Sequence, residues 1–148
     1  MTKVLAITSG GGHWEQMMLI KEGFADLDIV YANTIAGLAE KSGVSPSYVV
    51  PDCNRSHPMS VLRCLRAVWS VIRQEKPDVI VSTGAAPGIV ALGIGKLTGK
   101  RTIWIDSVAN SERLSLSGKM AGRFVDLWLT QWEHLAGPKG PHYWGNVL

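Results

Sequence analysis

Lys3-Val4-Leu5-Ala6-Ile7-Thr8 runs directly into Ser9 and three consecutive glycines, Gly10, Gly11 and Gly12. A continuous apolar run of this length reads as a strand covered on both faces. The glycines break it, and a helical spacing then begins, with Trp14, Met17, Met18 and Ile20 as its apolar positions. Strand, glycine turn and helix in that order restrict the chain to an α/β arrangement. They also bring the backbone N–H groups of a helix N-terminus to a sheet edge, where an anionic or polar ligand can be held. The same turn delivers His13 and Glu15 to that edge.

The alternation continues along the chain. Strands are expected at Val4–Thr8, Asp28–Asn33, Ser47–Val50, Asp78–Ser82, Thr102–Asp106 and Val125–Thr130. Helices are expected at His13–Phe24, Ala36–Ser42, Ser60–Gln74, Gly88–Leu97 and Ser115–Arg123, with Pro58 suited to a first helical turn. Runs such as Val79-Ile80-Val81 and Ile103-Trp104-Ile105 belong to a parallel sheet with helices on both sides. Right-handed crossovers then give a doubly wound, Rossmann-like sheet of order 3-2-1-4-5-6. The 148 residues suit one domain, with an irregular tail over residues 133–148.

Composition narrows the function classes. The charged fraction is 18%, below the usual quarter, so part of the surface is expected to be covered by a partner or a membrane. No apolar run reaches the roughly 20 residues of a spanning helix, and the first residues are too short for a signal-peptide core. A cytoplasmic protein is expected. The net charge of +3 is too small to argue for nucleic acid. Cys53 and Cys64 form neither a disulfide framework nor a metal-ligand pattern, and read as reduced thiols.

Four segments carry chemistry. The turn Ser9-Gly10-Gly11-Gly12-His13 lacks both the dinucleotide fingerprint and the Walker pattern. Its histidine is either a base for a hydroxyl proton or, with Glu15, a polar opening to the helix. Ser82-Thr83-Gly84-Ala85-Ala86-Pro87-Gly88 follows the fourth strand and should lie beside that turn, at the topological switch point. The stretch from Asp106 through Ser107, Asn110, Glu112 and Arg113 offers acceptors and a cation. It reads equally as an ordinary loop in which Ser111 or Asp106 caps a helix. The helix Ser60–Gln74 puts Val61, Leu62, Leu65, Val68, Trp69 and Ile72 on one face, flanked by Arg63, Arg66 and Arg73. Such a helix either packs on the sheet with a solvated basic edge or lies on an anionic membrane. Of the six tryptophans, Trp104 and Trp128 are expected in the core, and Trp132 and Trp144 at an interface.

Taken in order, these blocks resemble a known family. They are Ser-Gly-Gly-Gly-His, the Ser82–Gly88 turn, Ile105-Asp106-Ser107, Leu114–Lys119, Asp126 through Gln131-Trp132-Glu133, and Tyr143-Trp144-Gly145. Together they are similar to the acceptor-side subunits of split UDP-sugar glycosyltransferases. The eukaryotic members act on dolichol-linked sugar, and bacterial relatives serve capsule and exopolysaccharide assembly. The resemblance implies the N-terminal half of a GT-B glycosyltransferase, with the UDP-sugar held mainly by a separate donor-binding chain. It implies a lipid-diphosphate-linked saccharide as acceptor, attachment to the inner face of the cytoplasmic membrane, and no metal or resident cofactor.

On the resemblance, His13 is the candidate base, with Glu15, Asp106 and Glu112 as further catalytic carboxylates. Ser9, Gly10, Gly11, Gly12, Thr83, Gly84, Ala85, Pro87, Gly88, Ser107, Asn110 and Arg113 would bind substrate. Gln131, Trp132, Tyr143, Trp144 and Leu148 would meet the partner chain. The chain departs from the eukaryotic pattern in beginning at strand one without an anchor, which leads to the expectation of peripheral membrane attachment. It also has Asp106-Ser107 with Asn110 where the eukaryotic members have Glu-Ser and an arginine, and an arginine comes only at Arg113. Two other readings stay open: a non-catalytic recruiter with a vestigial pocket, and a free-standing nucleotide-binding Rossmann enzyme. Against the latter, strand two ends at Asn33 rather than at the ribose-binding acid.

Overall fold

A computed structural model of the protein describes all residues, 1–148. The strands are β1 (Lys3–Ile7), β2 (Asp28–Asn33), β3 (Ser47–Val49), β4 (Val79–Ser82), β5 (Arg101–Ile105), β6 (Leu127–Thr130) and β7 (His142–Tyr143). The helices are α1 (Gly12–Ile20), α2 (Leu38–Lys41), α3 (Pro58–Glu75), α4 (Ala86–Leu97) and α5 (Leu116–Ala121). The sheet order is β3-β2-β1-β4-β5-β6-β7, parallel throughout. The expected six-strand order is therefore present, extended by one strand.

That seventh strand corrects the reading of the tail as irregular. After a single 3-10 turn at Glu133–Leu135, the chain folds back through Gly137–Pro141 and lays His142–Tyr143 beside Leu129–Thr130. Trp128 explains the closure. A Cβ on Gly122 would stand 2.5 Å from its indole, and one on Gly140 would stand 3.2 Å away. Two small residues let two turns close over one ring. The helix expected over His13–Phe24 changes to a 3-10 turn at Lys21–Phe24, where Gly23 weakens the α form.

Alternation along β1 shows why the strands are apolar throughout. Leu5 and Ile7 point to one face, where Val30, Ile80 and Trp104 meet Cys64, Val68 and Ile72 of α3 and Leu92 of α4. Val4 and Ala6 point to the other, against Trp14 and Met17 of α1 and Tyr31 of β2. Fully burying each large side chain of this kind stabilises the fold by roughly 1.5–3 kcal/mol. At the far end of the sheet, the Lys3 ammonium and the Tyr48 hydroxyl hold the Glu75 carboxyl below its ordinary pKa and tie the end of α3 to β1 and β3.

The face that α3 presents to the sheet differs from the expected one. Cys64, Val68, Val71 and Ile72 are buried, whereas Leu62, Leu65 and Trp69 are 44%, 43% and 41% exposed. Both stripes have helical spacing. The sheet takes the one that begins at Cys64 and turns the other outward. Burial pushes the Cys64 thiol up to about 12 and raises Cys53 as well, so neither is a ready nucleophile.

Candidate functional site

β1 and β4 are neighbours at the point where the strand order reverses, and their C-terminal turns bound the crevice there. The two turns are bonded to each other. Ser9 N–H donates to the Gly84 carbonyl at 2.9 Å, and the Thr8 hydroxyl donates to the same oxygen. Ala85 N–H donates to Ser9 Oγ at 3.2 Å. The Thr83 hydroxyl donates to the His13 carbonyl at 2.6 Å.

His13 lies on this seam. Its Nδ1 is 3.0 Å from the carbonyl oxygen of Thr83. A carbonyl only accepts, so Nδ1 carries a proton and Nε2 is the ring nitrogen left for another partner. Gly84 leaves room for the imidazole. Its φ is +130°, and a Cβ there would stand 2.5 Å from His13 Nδ1. His13 lines a cleft of about 490 Å³, with Gly12, Glu15, Gln16 and Leu19 on the same wall and Ser107, Val108, Ala109 and Asn110 opposite. Gly12, His13 and Trp14 open α1, where backbone N–H groups have no partner within the helix and attract anions.

The other expected substrate residues divide. Ser9, Thr83, Gly84 and Ala85 build the seam behind His13 rather than the cleft wall. The backbone donors expected of Gly84 and Ala85 are already engaged, by Ser82 Oγ at 3.1 Å and by Ser9 Oγ at 3.2 Å. Gly10 and Gly88 serve close packing: a Cβ would stand 2.2 Å from Ile35 at the first and 2.0 Å from Ser82 Oγ at the second. Gly11, at φ +81°, makes the turn into α1. Pro87 is buried in the first turn of α4.

The loop after β5 corrects a second expectation. Asp106 is only 1% exposed. Its Oδ1 accepts from Trp104 Nε1 at 3.0 Å and from Ser115 Oγ at 2.5 Å. Its Oδ2 accepts from Ser115 N–H at 3.1 Å and Asn110 Nδ2 at 3.4 Å. A carboxylate so occupied organises the loop and is not offered to a substrate. Ser115, rather than Ser111 or Asp106, caps the following helix, accepting from Gly118 N–H at 2.8 Å. Glu112 and Arg113 are exposed and line a shallow hollow of about 290 Å³ that adjoins the His13 cleft at Ala109 and Asn110, without themselves lining that cleft. Another hollow, of about 600 Å³, lies at the opposite end of the strands around Lys96, Lys100 and Arg101, away from the edge that serves ligands in such sheets.

The residues expected at a partner surface also divide. Gln131 is buried and holds the tail, its Oε1 accepting from Val147 N–H at 3.1 Å. Trp132 turns inward and donates from Nε1 to the Val108 carbonyl at 2.7 Å. Tyr143 is half-buried in β7. Trp144 and Leu148 are 71% and 85% exposed, so they alone of the five lie open to a partner. Asn33 is fully buried and spends its Oδ1 on Ile35 N–H at 2.8 Å, in its own turn rather than toward a ribose.

Sequence reasoning missed Gln16. It is 3% exposed, and its side-chain amide bonds to the loop opposite. The available sign was position: Gln16 follows His13 by three residues, which puts both on one helical face.

Comparison with known proteins agrees with the fold and places the chain. MurG from Acinetobacter baumannii superposes with a TM-score of 0.78 at 12% identity, covering 99% of this chain and 46% of MurG. The architecture is that of one half of a GT-B glycosyltransferase. The UDP-N-acetylglucosamine transferase subunit alg14 of Schizosaccharomyces pombe is 27% identical, over 90% of this chain and 77% of its own length. The subunit ALG14 of Eremothecium gossypii is 30% identical over 52% of this chain, and the match spans only 40% of that relative. The family model described as oligosaccharide biosynthesis protein Alg14 like matches residues 47–147, about two thirds of the chain. The chain therefore belongs to the Alg14-like family of oligosaccharide biosynthesis proteins.

Proposed function

We propose that this chain is the acceptor-binding subunit of a two-chain, inverting UDP-sugar glycosyltransferase. Its substrate is a lipid-diphosphate-linked saccharide, in a pathway such as capsule or exopolysaccharide assembly. The observation that carries the reading is His13: an imidazole whose Nδ1–H is engaged by the Thr83 carbonyl, leaving Nε2 as its other ring nitrogen, on an open cleft of a half GT-B fold. In this reading the acceptor hydroxyl loses its proton to His13 Nε2 as its oxygen attacks the anomeric carbon, and UDP departs on the partner chain. The opening turn of α1 offers amides and a favourable dipole to the acceptor diphosphate. The relatives' printed names supply N-acetylglucosamine as the sugar to test first.

The purified chain, assayed with and without its donor-binding partner, is expected to transfer sugar only in the complex. Transfer by the isolated chain at the rate of the complex would refute the two-chain reading.

The outward stripe of α3 supports a membrane-facing role. No helix is long and apolar enough to cross a membrane. Leu65, Trp69 and Leu97 instead line an apolar groove of about 320 Å³ beside Arg66, with Arg63 and Arg73 exposed on the same helix. Each arginine near an anionic surface contributes about 1 kcal/mol. Arg63→Glu, Arg66→Glu and Arg73→Glu together are expected to weaken co-sedimentation with anionic vesicles by roughly 100-fold or more, with little change on neutral ones. Equal binding by parent and variant to anionic vesicles would rule this face out.

A further inference from the structure

We infer that Gln16 is the positioning residue that sets the width of the acceptor cleft; the inference rests on the acceptor-binding reading above. Two walls form the cleft, the start of α1 and the loop that follows β5. Gln16 joins them. Its Nε2 donates to the Asp106 carbonyl at 3.1 Å, and its Oε1 accepts from Val108 N–H at 2.9 Å. A carbonyl cannot donate and an amide N–H cannot accept, so only one orientation of the side-chain amide satisfies both.

The grip falls on a defined point. Val108 gives its N–H to Gln16 and its carbonyl to Trp132 Nε1, the latter at 2.7 Å. One peptide segment is thus held from the helix on one side and from the chain after β6 on the other. Gln16 stands one turn beyond His13 on the same face of α1, so the bonds that fix the loop also fix its distance from the imidazole. Asp106 and Ser115 shape the loop from within, but the link from loop to catalytic helix is made by Gln16. Gln16 and Asp106 are 3% and 1% exposed, so an Asp106 carbonyl that loses its donor is left unsatisfied inside the fold. An acceptor bridging the cleft would then meet a wall that moves. A misplacement on the order of 1 Å can cost about 10²-fold in a positioned reaction.

The test uses Gln16→Met, which keeps length and volume, and Gln16→Glu, which keeps the acceptor for Val108 N–H and loses the donor to Asp106. In the active complex both are expected to raise the acceptor KM roughly 10- to 100-fold while the KM for the UDP-sugar stays unchanged. Hydrogen exchange at the Val108 amide of the isolated chain should accelerate in Gln16→Met. Faster exchange with an unmoved acceptor KM would overturn the inference and leave the acceptor-binding reading standing. A parent complex that transfers no sugar would defeat the transferase part of that reading and leave acceptor binding to be measured directly. Gln16 is then judged by binding of a short-chain polyprenyl-diphosphate N-acetylglucosamine to the isolated chain. Loss of binding in Gln16→Met supports the inference; equal binding by both proteins, or none by either, overturns it.

Discussion

In the proposed two-chain enzyme, replacing His13 with alanine is expected to lower sugar transfer by about 10²–10⁴-fold, with both subunits still associated. On the proposed mechanism, the size follows from removing a positioned base whose ring orientation is set by its surroundings. Thr83 holds Nδ1–H, so the ring keeps one orientation, and Nε2 is the nitrogen left to accept a proton. His13 is half-buried at the start of α1 and contributes little to the apolar core, so the variant should fold. Gly84→Ala offers an independent route to the same loss. It leaves the imidazole in the protein but places a Cβ 2.5 Å from Nδ1, at a φ of +130° that side chains avoid. Steady-state rates at saturating UDP-sugar decide the matter. Near-normal turnover by His13→Ala removes this histidine from proton transfer.

Asp106→Ala is expected to destabilise the isolated chain by about 3 kcal/mol or more, a large part of the stability of a domain this size. The carboxylate is buried and receives four donors, from Trp104, Ser115 twice and Asn110. Hydrogen bonds to a charged acceptor contribute roughly 1.5–3 kcal/mol each, and donors left without a partner in the interior add their own cost. The first turn of α5 packs on this group so closely that a Cβ on Gly118 would stand 2.4 Å from Oδ1. Asp106→Asn should fall between parent and alanine, because one of its two acceptor sites becomes a donor facing other donors. Equilibrium denaturation in urea measures the difference. A loss under about 1 kcal/mol for Asp106→Ala would mean that the carboxylate does not organise the loop.

Much of the architecture was legible in the residues. Apolar runs such as Val79-Ile80-Val81 admit a parallel strand and little else at that length, and crossover handedness then orders the strands. The adjacency of the His13 turn and the Thr83–Gly88 turn follows from that order, and the structure bonds them together. β7 was not legible, because two residues with no apolar run carry no periodicity. His142–Tyr143 is a strand only because Gly122 and Gly140 allow the chain to close over Trp128. On α3, spacing identifies two overlapping stripes but cannot say which one meets the sheet.

The sequence by itself determined the parallel α/β layering, the strand order and the residue types gathered at the switch point, since these depend on local periodicity and chain handedness. Only the tertiary structure decided what each polar group does. Asp106 and Glu112 look alike as carboxylates in one loop, yet one is enclosed by four donors and the other stands in solvent. Burial and hydrogen-bond partners come from residues far apart in the chain, as when Gln16 reaches Val108, and no local pattern records them.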